Sequence, residues 1–286
     1  MSDTKTIRLG ISTCPNDTFA FHAILTGRIQ VAGLRFEIEL LDVQELNERL
    51  FAGRFDVAKA SFHAALLLSD RYGVFQSGSA LGFGVGPLLL AAQQGADPAK
   101  MEDQRFVTLC PGQHTTASLL YSMFYPGCGL LKQAVFSEIM PALQQHRASF
   151  GVCIHEGRFT YQDQGLACVQ DLGTRWEEET RQPLPLGGIL GRIDLPEDQI
   201  VKIQRAIRES IEYAMKNRAE AVESMRRYAQ EFSDEVLFSH VDLYVNQWTL
   251  GLGETGEAAL RTLYRRAVEA GAIVQHRPPL VMLPYA

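Results

Sequence analysis

Four stretches of the chain share one design: an apolar run stops and small or polar side chains follow at once. In three of them a helical pattern then begins. GISTCPNDTFAFHAI places Asn16 or Asp17 to cap a helix carrying Phe19 and Ile24, and FDVAKASFHAALLL puts Ser61 at such a junction. VTLCPGQHTTASLL turns at Pro111 and Gly112 before Thr115 and Thr116 open a helix. Free backbone N–H groups at helix starts, supplemented by hydroxyls, bind carboxylate or phosphate oxygens. Taken singly, each junction is better explained by Ser, Thr or Asp capping a helix. Convergence favours a site, because the C-terminal strand ends of a parallel sheet share one edge and bring Ser61, Thr115 and Thr116 to one crevice. The expected occupant is an organic acid.

The fourth stretch, ASFGVCIHEGRFTYQDQGL, ends an apolar strand from Phe150 to Ile154 in His155, Glu156 and Arg158. With a reference pKa near about 6.5, an imidazole at the ligand-facing end of a strand suits a general base. The alternative is a structural histidine bonded to Glu156 or to backbone. The HE pair is not a zinc-protease motif, since Phe159 stands four residues after His155. His22, His63, His114, His146, His240 and His276 show no metal-ligand spacing, so no metal is expected, although His22 and His63 sit near helices that begin at the crevice. Gly82, Gly84 and Gly86 alternate in LGFGVGP, yet Pro87 and a strand follow instead of a helix start. A dinucleotide fingerprint is thereby rejected and no cofactor is expected. The glycine-rich stretch from Arg71 to Gly86 reads as a turn or flexible approach to a hinge strand. Cys14 and Cys110 precede helix starts, where a thiolate is favoured. With no partner histidine assignable, both read as small packing residues, with a nucleophile as the lesser alternative.

The elements that must position these residues alternate between strand and helix patterns over the first two-thirds of the chain, the mark of α/β architecture with mainly parallel strands. IRLGIS and LRFEIELLD read as strands, VQELNERLFAG as a helix with Val43, Leu46 and Leu50 on one face, and FDVAKAS as a third strand. GPLLLAAQ reads as a buried strand, and polar Gln93 to Asp103 as a crossover to a second series of RFVTLC, HTTASLLYSMFY and ASFGVCI. WEEETRQPLPLGGILGR looks like the return crossover. From Leu195 the pattern is helical: Ile200, Ile203, Ile207 and Ile211 share a face, Ser233 caps a further helix, and Glu257 to Ala270 forms a last one closed by Gly271. The helical tail is expected to cover the first sheet. Two lobes follow, residues 1–92 with 189–286 forming the larger and 93–188 the smaller, with a ligand cleft between them.

Composition narrows the function. Against 33 acidic residues stand 27 Lys and Arg, a net charge of -6 that excludes a general nucleic-acid binder. No run approaches the roughly 18 apolar residues of a membrane helix, and MSDTKTIRLGIS lacks the apolar segment of an export signal. Five cysteines without a CxxC pair suit a reducing cytoplasm. Nothing in the sequence fixes an oligomeric state.

In chain order, CPNDTFAF, LDVQELN, AKAS, GVGPLLL, PGQHTTA, IHEGRFTY, LPLGGIL and YVNQWTLGLGETGE closely resemble the 1,4-dihydroxy-6-naphthoate synthase family of the futalosine route to menaquinone. The likeness runs from about Gly10 to the helix after Thr255. It implies a type II periplasmic-binding-protein-like fold used as an enzyme, with a carboxylated substrate held between the lobes. It also implies a lyase that converts cyclic dehypoxanthine futalosine to 1,4-dihydroxy-6-naphthoate without a redox cofactor. At the matching positions His155 would be the base, and Ser61, Thr115, Thr116, Asn16 and Asp17 would bind substrate. Thr13 departs from the pattern, where proline is more usual, and the terminal PPLVMLPYA finds no match. The competing expectations are the chorismate dehydratase of the same route and a non-catalytic solute-binding protein.

Overall fold

Alternation within the first strand decides the layering. In β1 (Lys5–Ser12), Ile7, Leu9 and Ile11 are buried on one face, while on the other Gly10 lies so close to Leu46 that a Cβ would stand 2.7 Å from it. The helix Val43–Phe51 can therefore lie directly on the sheet, its start capped by the Asp42 side chain. On the opposite face the long helix Glu197–Lys216 lays Ile200, Ile203, Ile207 and Ile211 into the same core as Ile7, Leu9 and Ile11. Each such buried side chain contributes about 1.5–3 kcal/mol. The helical tail thus covers the first sheet, as its periodicity requires, and Gly271 ends the final helix Gly253–Glu269 in the left-handed region.

The computed structural model describes residues 4–93, 96, 103, 105–155, 157–228, 233–274 and 276–285. Most of the crossover expected between Gln93 and Asp103 lies outside the described residues, as does Glu156. The remaining strands are β2 (Leu34–Leu41), β3 (Val57–Ser61), β4 (Tyr72–Val74), β5 (Ala80–Gly82), β6 (Leu88–Ala91), β7 (Val107–Cys110), β8 (Leu130–Gln133), β9 (Phe150–Cys153), β10 (Ala167–Asp171) and β11 (Leu184–Arg192). One sheet runs β2-β1-β3-β11-β4 with β5 also paired to β11, and the other runs β10-β6-β9-β7-β8.

Three expectations change. The sheets are mixed, not mainly parallel: β1 is parallel to β2 and β3, and β7 to β8 and β9, but β11 is antiparallel to β3, β4 and β5, and β6 to β9 and β10. A buried apolar run reads the same whichever way its neighbour points. For the same reason β6, expected in the larger lobe, belongs to the second sheet, and β11 has joined the first sheet by Leu184. The glycine-rich stretch is not only a turn, since it holds β4 and β5. The C-terminal tail also finds its place. Val74 donates its N–H to the Val281 carbonyl at 2.8 Å, Leu283 donates to the Val74 carbonyl at 2.9 Å, and Leu283 is buried against Gly73 and Gly191. The chain end thus blunts an open edge of the first sheet. Among the described residues no helix is long and apolar enough to cross a membrane.

Candidate active site

The C-terminal ends of β1, β3, β7 and β9 converge on a cleft of about 680 Å³, including its open mouth. Asn16, Asp17, Ser61, Thr115, Thr116 and His155 all line it, and the two sheets both contribute to its wall.

Their polar atoms are not equally available. Thr115 caps the helix Thr116–Phe124, its hydroxyl donating to the Gly112 carbonyl at 2.8 Å and accepting from the Ser118 N–H at 3.2 Å. The Thr116 hydroxyl donates to the Leu186 carbonyl at 2.6 Å, tying this helix to β11 of the other sheet. Both hydroxyl protons are therefore committed to the protein. What the helix leaves to a ligand are the first-turn N–H groups of Thr116 and Ala117, both pocket residues. Ser61 is held at both ends by buried Asn47, its N–H donating to Asn47 Oδ1 at 3.1 Å and its hydroxyl accepting from Asn47 Nδ2 at 3.2 Å. The Ser61 hydroxyl proton stays free to donate. Asp17 accepts from Lys59 Nζ at 2.6 Å and from Asn16 Nδ2 at 3.0 Å. Asn16 and Asp17 thus form part of a buried wall whose charge is internally balanced.

His155 follows β9 with φ +57°, one of three non-glycine residues with positive φ among those described. Such backbone is costly and persists where surroundings impose it, often at functional sites. The ring is half-buried, with the Phe136 ring edge-on at 5.0 Å and the Cys14 sulfur 3.4 Å from Nδ1 and 3.6 Å from Nε2. Cys14, for which the sequence offers no partner histidine, touches the imidazole. The contact joins residues 141 positions apart and both sheets, which no local pattern could reveal. Arg158 donates to Asp171 at 2.6 Å and to the Gly86 carbonyl at 3.2 Å, pinning the crossing into β6. Gly86 has φ +136°, and a Cβ there would meet the Gly173 backbone at 2.8 Å, so a tight passage explains this glycine and not phosphate binding. Cys110 is buried, and burial pushes its thiol up to about 12, which makes it an inert packing residue.

Sequence reasoning missed three residues of the site. Lys59 was visible as a lone cation in the buried strand VAKAS, a placement that demands a partner. Asn47 and His240 gave no signal, since their positions on helices mark them only as inward-facing. His240 lies in the helix Asp234–Tyr244, lines the cleft and is 2% exposed. Burial, aided by His155 and Lys59, pushes its pKa down to about 3. Among the described residues no group of three or more His, Cys, Asp or Glu is arranged to hold a metal ion.

Two mixed sheets with hydrogen-bond donors from both lobes around one cleft define a class: a two-lobed α/β protein of type II periplasmic-binding-protein-like fold, built to surround a small molecule. The Escherichia coli periplasmic aliphatic sulphonate binding protein shows the same fold, with a TM-score of 0.63 and 11% identity, covering 96% of this chain and 93% of that one. The family is more particular. The menaquinone biosynthesis family model matches residues 7–269, and the chain belongs to that family. It is 42% identical over 276 residues to a 1,4-dihydroxy-6-naphthoate synthase of Thermus thermophilus, covering 96% of this chain and 99% of that one. It also resembles a solved Archaeoglobus fulgidus protein at 33% identity with a TM-score of 0.88, covering 94% of this chain and 98% of the other.

Proposed function

We propose that this protein is a 1,4-dihydroxy-6-naphthoate synthase, a lyase that converts cyclic dehypoxanthine futalosine to 1,4-dihydroxy-6-naphthoate in menaquinone biosynthesis. The observation that carries the reading is the near full-length likeness to the Thermus synthase, to which the cleft adds an imidazole and anion-binding N–H groups. His155 is the general base. It takes a proton from substrate carbon in the elimination that releases the remaining sugar carbons and ends in an aromatic ring. Cys14 and the Phe136 ring hold the imidazole in place.

The substrate carboxylate lies against the Thr116 and Ala117 N–H groups and the Ser61 hydroxyl. Neutral donors do this work because Lys59 is committed to Asp17 and Arg158 to Asp171. Thr115, Asn16 and Asp17 hold those donors and the adjoining wall in position. General-base catalysis contributes about 100- to 10,000-fold, so orientation by the two lobes and exclusion of water must supply the rest. The smaller lobe extends from the approach to β6 to the end of the helix Leu172–Thr180, slightly displaced from 93–188 because β6 pairs in the second sheet. The proposal includes a cytoplasmic site of action, which five free thiols suit.

Incubating the purified protein with cyclic dehypoxanthine futalosine, followed by mass spectrometry, tests the reading. The expected result is accumulation of the naphthoate with chorismate left untouched. Consumption of chorismate instead, or binding of the futalosine derivative without turnover, would overturn it.

A further inference from the structure

His240 is the one pocket residue whose polar atoms are both buried and, among the described residues, without any hydrogen-bond partner at either ring nitrogen. Protein interiors seldom tolerate this, because each unpaired nitrogen has given up a water and received nothing in return. His22, away from the cleft, keeps one partner: its Nδ1 pairs with the Ser224 hydroxyl at 2.8 Å and only its Nε2 is unpaired. The surroundings of His240 are rings, Tyr244 at 4.5 Å and Phe159 at 6.4 Å between centroids, and they leave the cleft as the direction from which a polar partner can come. The His155 ring is nearly parallel to it at 6.4 Å and 26°. Whatever atom of a ligand meets His155 therefore has His240 close by.

The charge state follows from the same neighbours. Lys59 and His155 both oppose a positive charge at His240, and burial opposes it more strongly. The ring is neutral throughout the physiological range, with one nitrogen protonated and able to donate. A neutral imidazole is well suited to stabilising an enolate: it offers a hydrogen bond to the developing charge without surrendering its proton beforehand.

We propose that His240 is a catalytic residue whose ring N–H donates a hydrogen bond to the substrate ring oxygen that becomes negative when His155 removes the neighbouring carbon's proton. The inference rests on the naphthoate synthase reading. A 1,4-dihydroxynaphthoate carries two oxygens on the ring that becomes aromatic, and an electron pair freed at the carbon beside a ring carbonyl is delocalised onto its oxygen. In the step, the C–H bond breaks and an N–H bond forms on His155. The pair moves into the adjoining carbon–carbon bond as the carbonyl becomes an enolate. His240 keeps its proton and supplies only the hydrogen bond; the proton taken up by His155 passes to the enolate oxygen, which becomes a hydroxyl of the product as His155 returns to the neutral base.

Steady-state kinetics of His240→Leu and His240→Gln, with melting temperatures of both, test this. Loss of a single oxyanion donor lowers kcat by about 100- to 1,000-fold. That loss is expected for His240→Leu with KM within about threefold of wild type, and His240→Gln, whose amide keeps a donor, should recover at least tenfold of it. Wild-type kcat in His240→Leu, or a loss confined to KM, overturns the inference. Should the leucine variant fail to fold, the glutamine variant decides: folded protein with kcat lowered by up to about 100-fold supports the role, and an unchanged kcat or a deeper loss overturns it. Absence of naphthoate from the wild-type reaction would sink the parent reading, whereas turnover by wild type and His240→Leu alike sinks only this one.

Discussion

At the scale of single residues, the cleft is organised around a buried ion pair. The Lys59 and Asp17 side chains are only 6% and 5% exposed, and their 2.6 Å contact joins the end of β3 to the first helix after β1. Two charges so placed are stable only together, since removing one strands the other away from water. Lys59→Met should therefore cost about 3–5 kcal/mol in denaturant unfolding. Adding Asp17→Asn should return most of it. A single variant as stable as wild type would show that the pair is solvated and not part of the wall. The residues that mark the site in the sequence, Ser61, Thr115, Thr116 and His155, did so because each ends a recognisable apolar run. Cys14 and His240 could not be read this way, because their significance comes from contacts with His155 across the fold.

At the scale of elements, capping chemistry was readable in part and strand direction was not. Asp42 and Ser233 accept N–H bonds at the helix starts the sequence suggests, because a cap is a local event, but Asn16 and Asp17, expected to cap the first helix, lie within Pro15–Ala20, which starts after Cys14 with no side-chain cap. Whether β6 and β11 run with or against their neighbours depends on the path of the whole chain, and VAKAS or LPLGGIL carries no trace of it. The junction between elements of the two lobes also makes a prediction about pH. His63, at the start of the helix Phe62–Leu67, faces His114 and donates from Nδ1 to the Thr115 carbonyl at 3.3 Å. Burial pushes its pKa from the ordinary 6.5 to about 4, with the Thr115 bond opposing the shift and His114 adding to it. Between these values the unfolded chain binds a proton that the folded chain refuses. Its contribution to stability is thus complete above about 6.5 and is lost as pH falls toward 4. Melting temperature should drop from pH 7 to pH 5, and the drop should be shallower in His63→Gln. Identical slopes in the two proteins would contradict this.

At the scale of the whole molecule, residues from two mixed sheets wall one cleft, and the proposed function adds a base, His155, to the donors that line it. The sequence conveyed two lobes because its strand and helix patterns form two series. It misjudged where they join, because an apolar strand such as Leu88–Ala91 suits either sheet equally. The Thr116 to Leu186 bond links the two sheets directly at the cleft, which under the proposed function lets a base fixed on one lobe meet a substrate held by both. The claim on which this account turns is that His155 performs chemistry and does not merely complete the pocket. A single-turnover measurement on His155→Gln, paired with equilibrium binding of the naphthoate product, separates these roles. The account predicts a rate at least about 100-fold below wild type with product affinity within a few-fold; wild-type rate, or a loss of affinity that accounts for the whole defect, would contradict it.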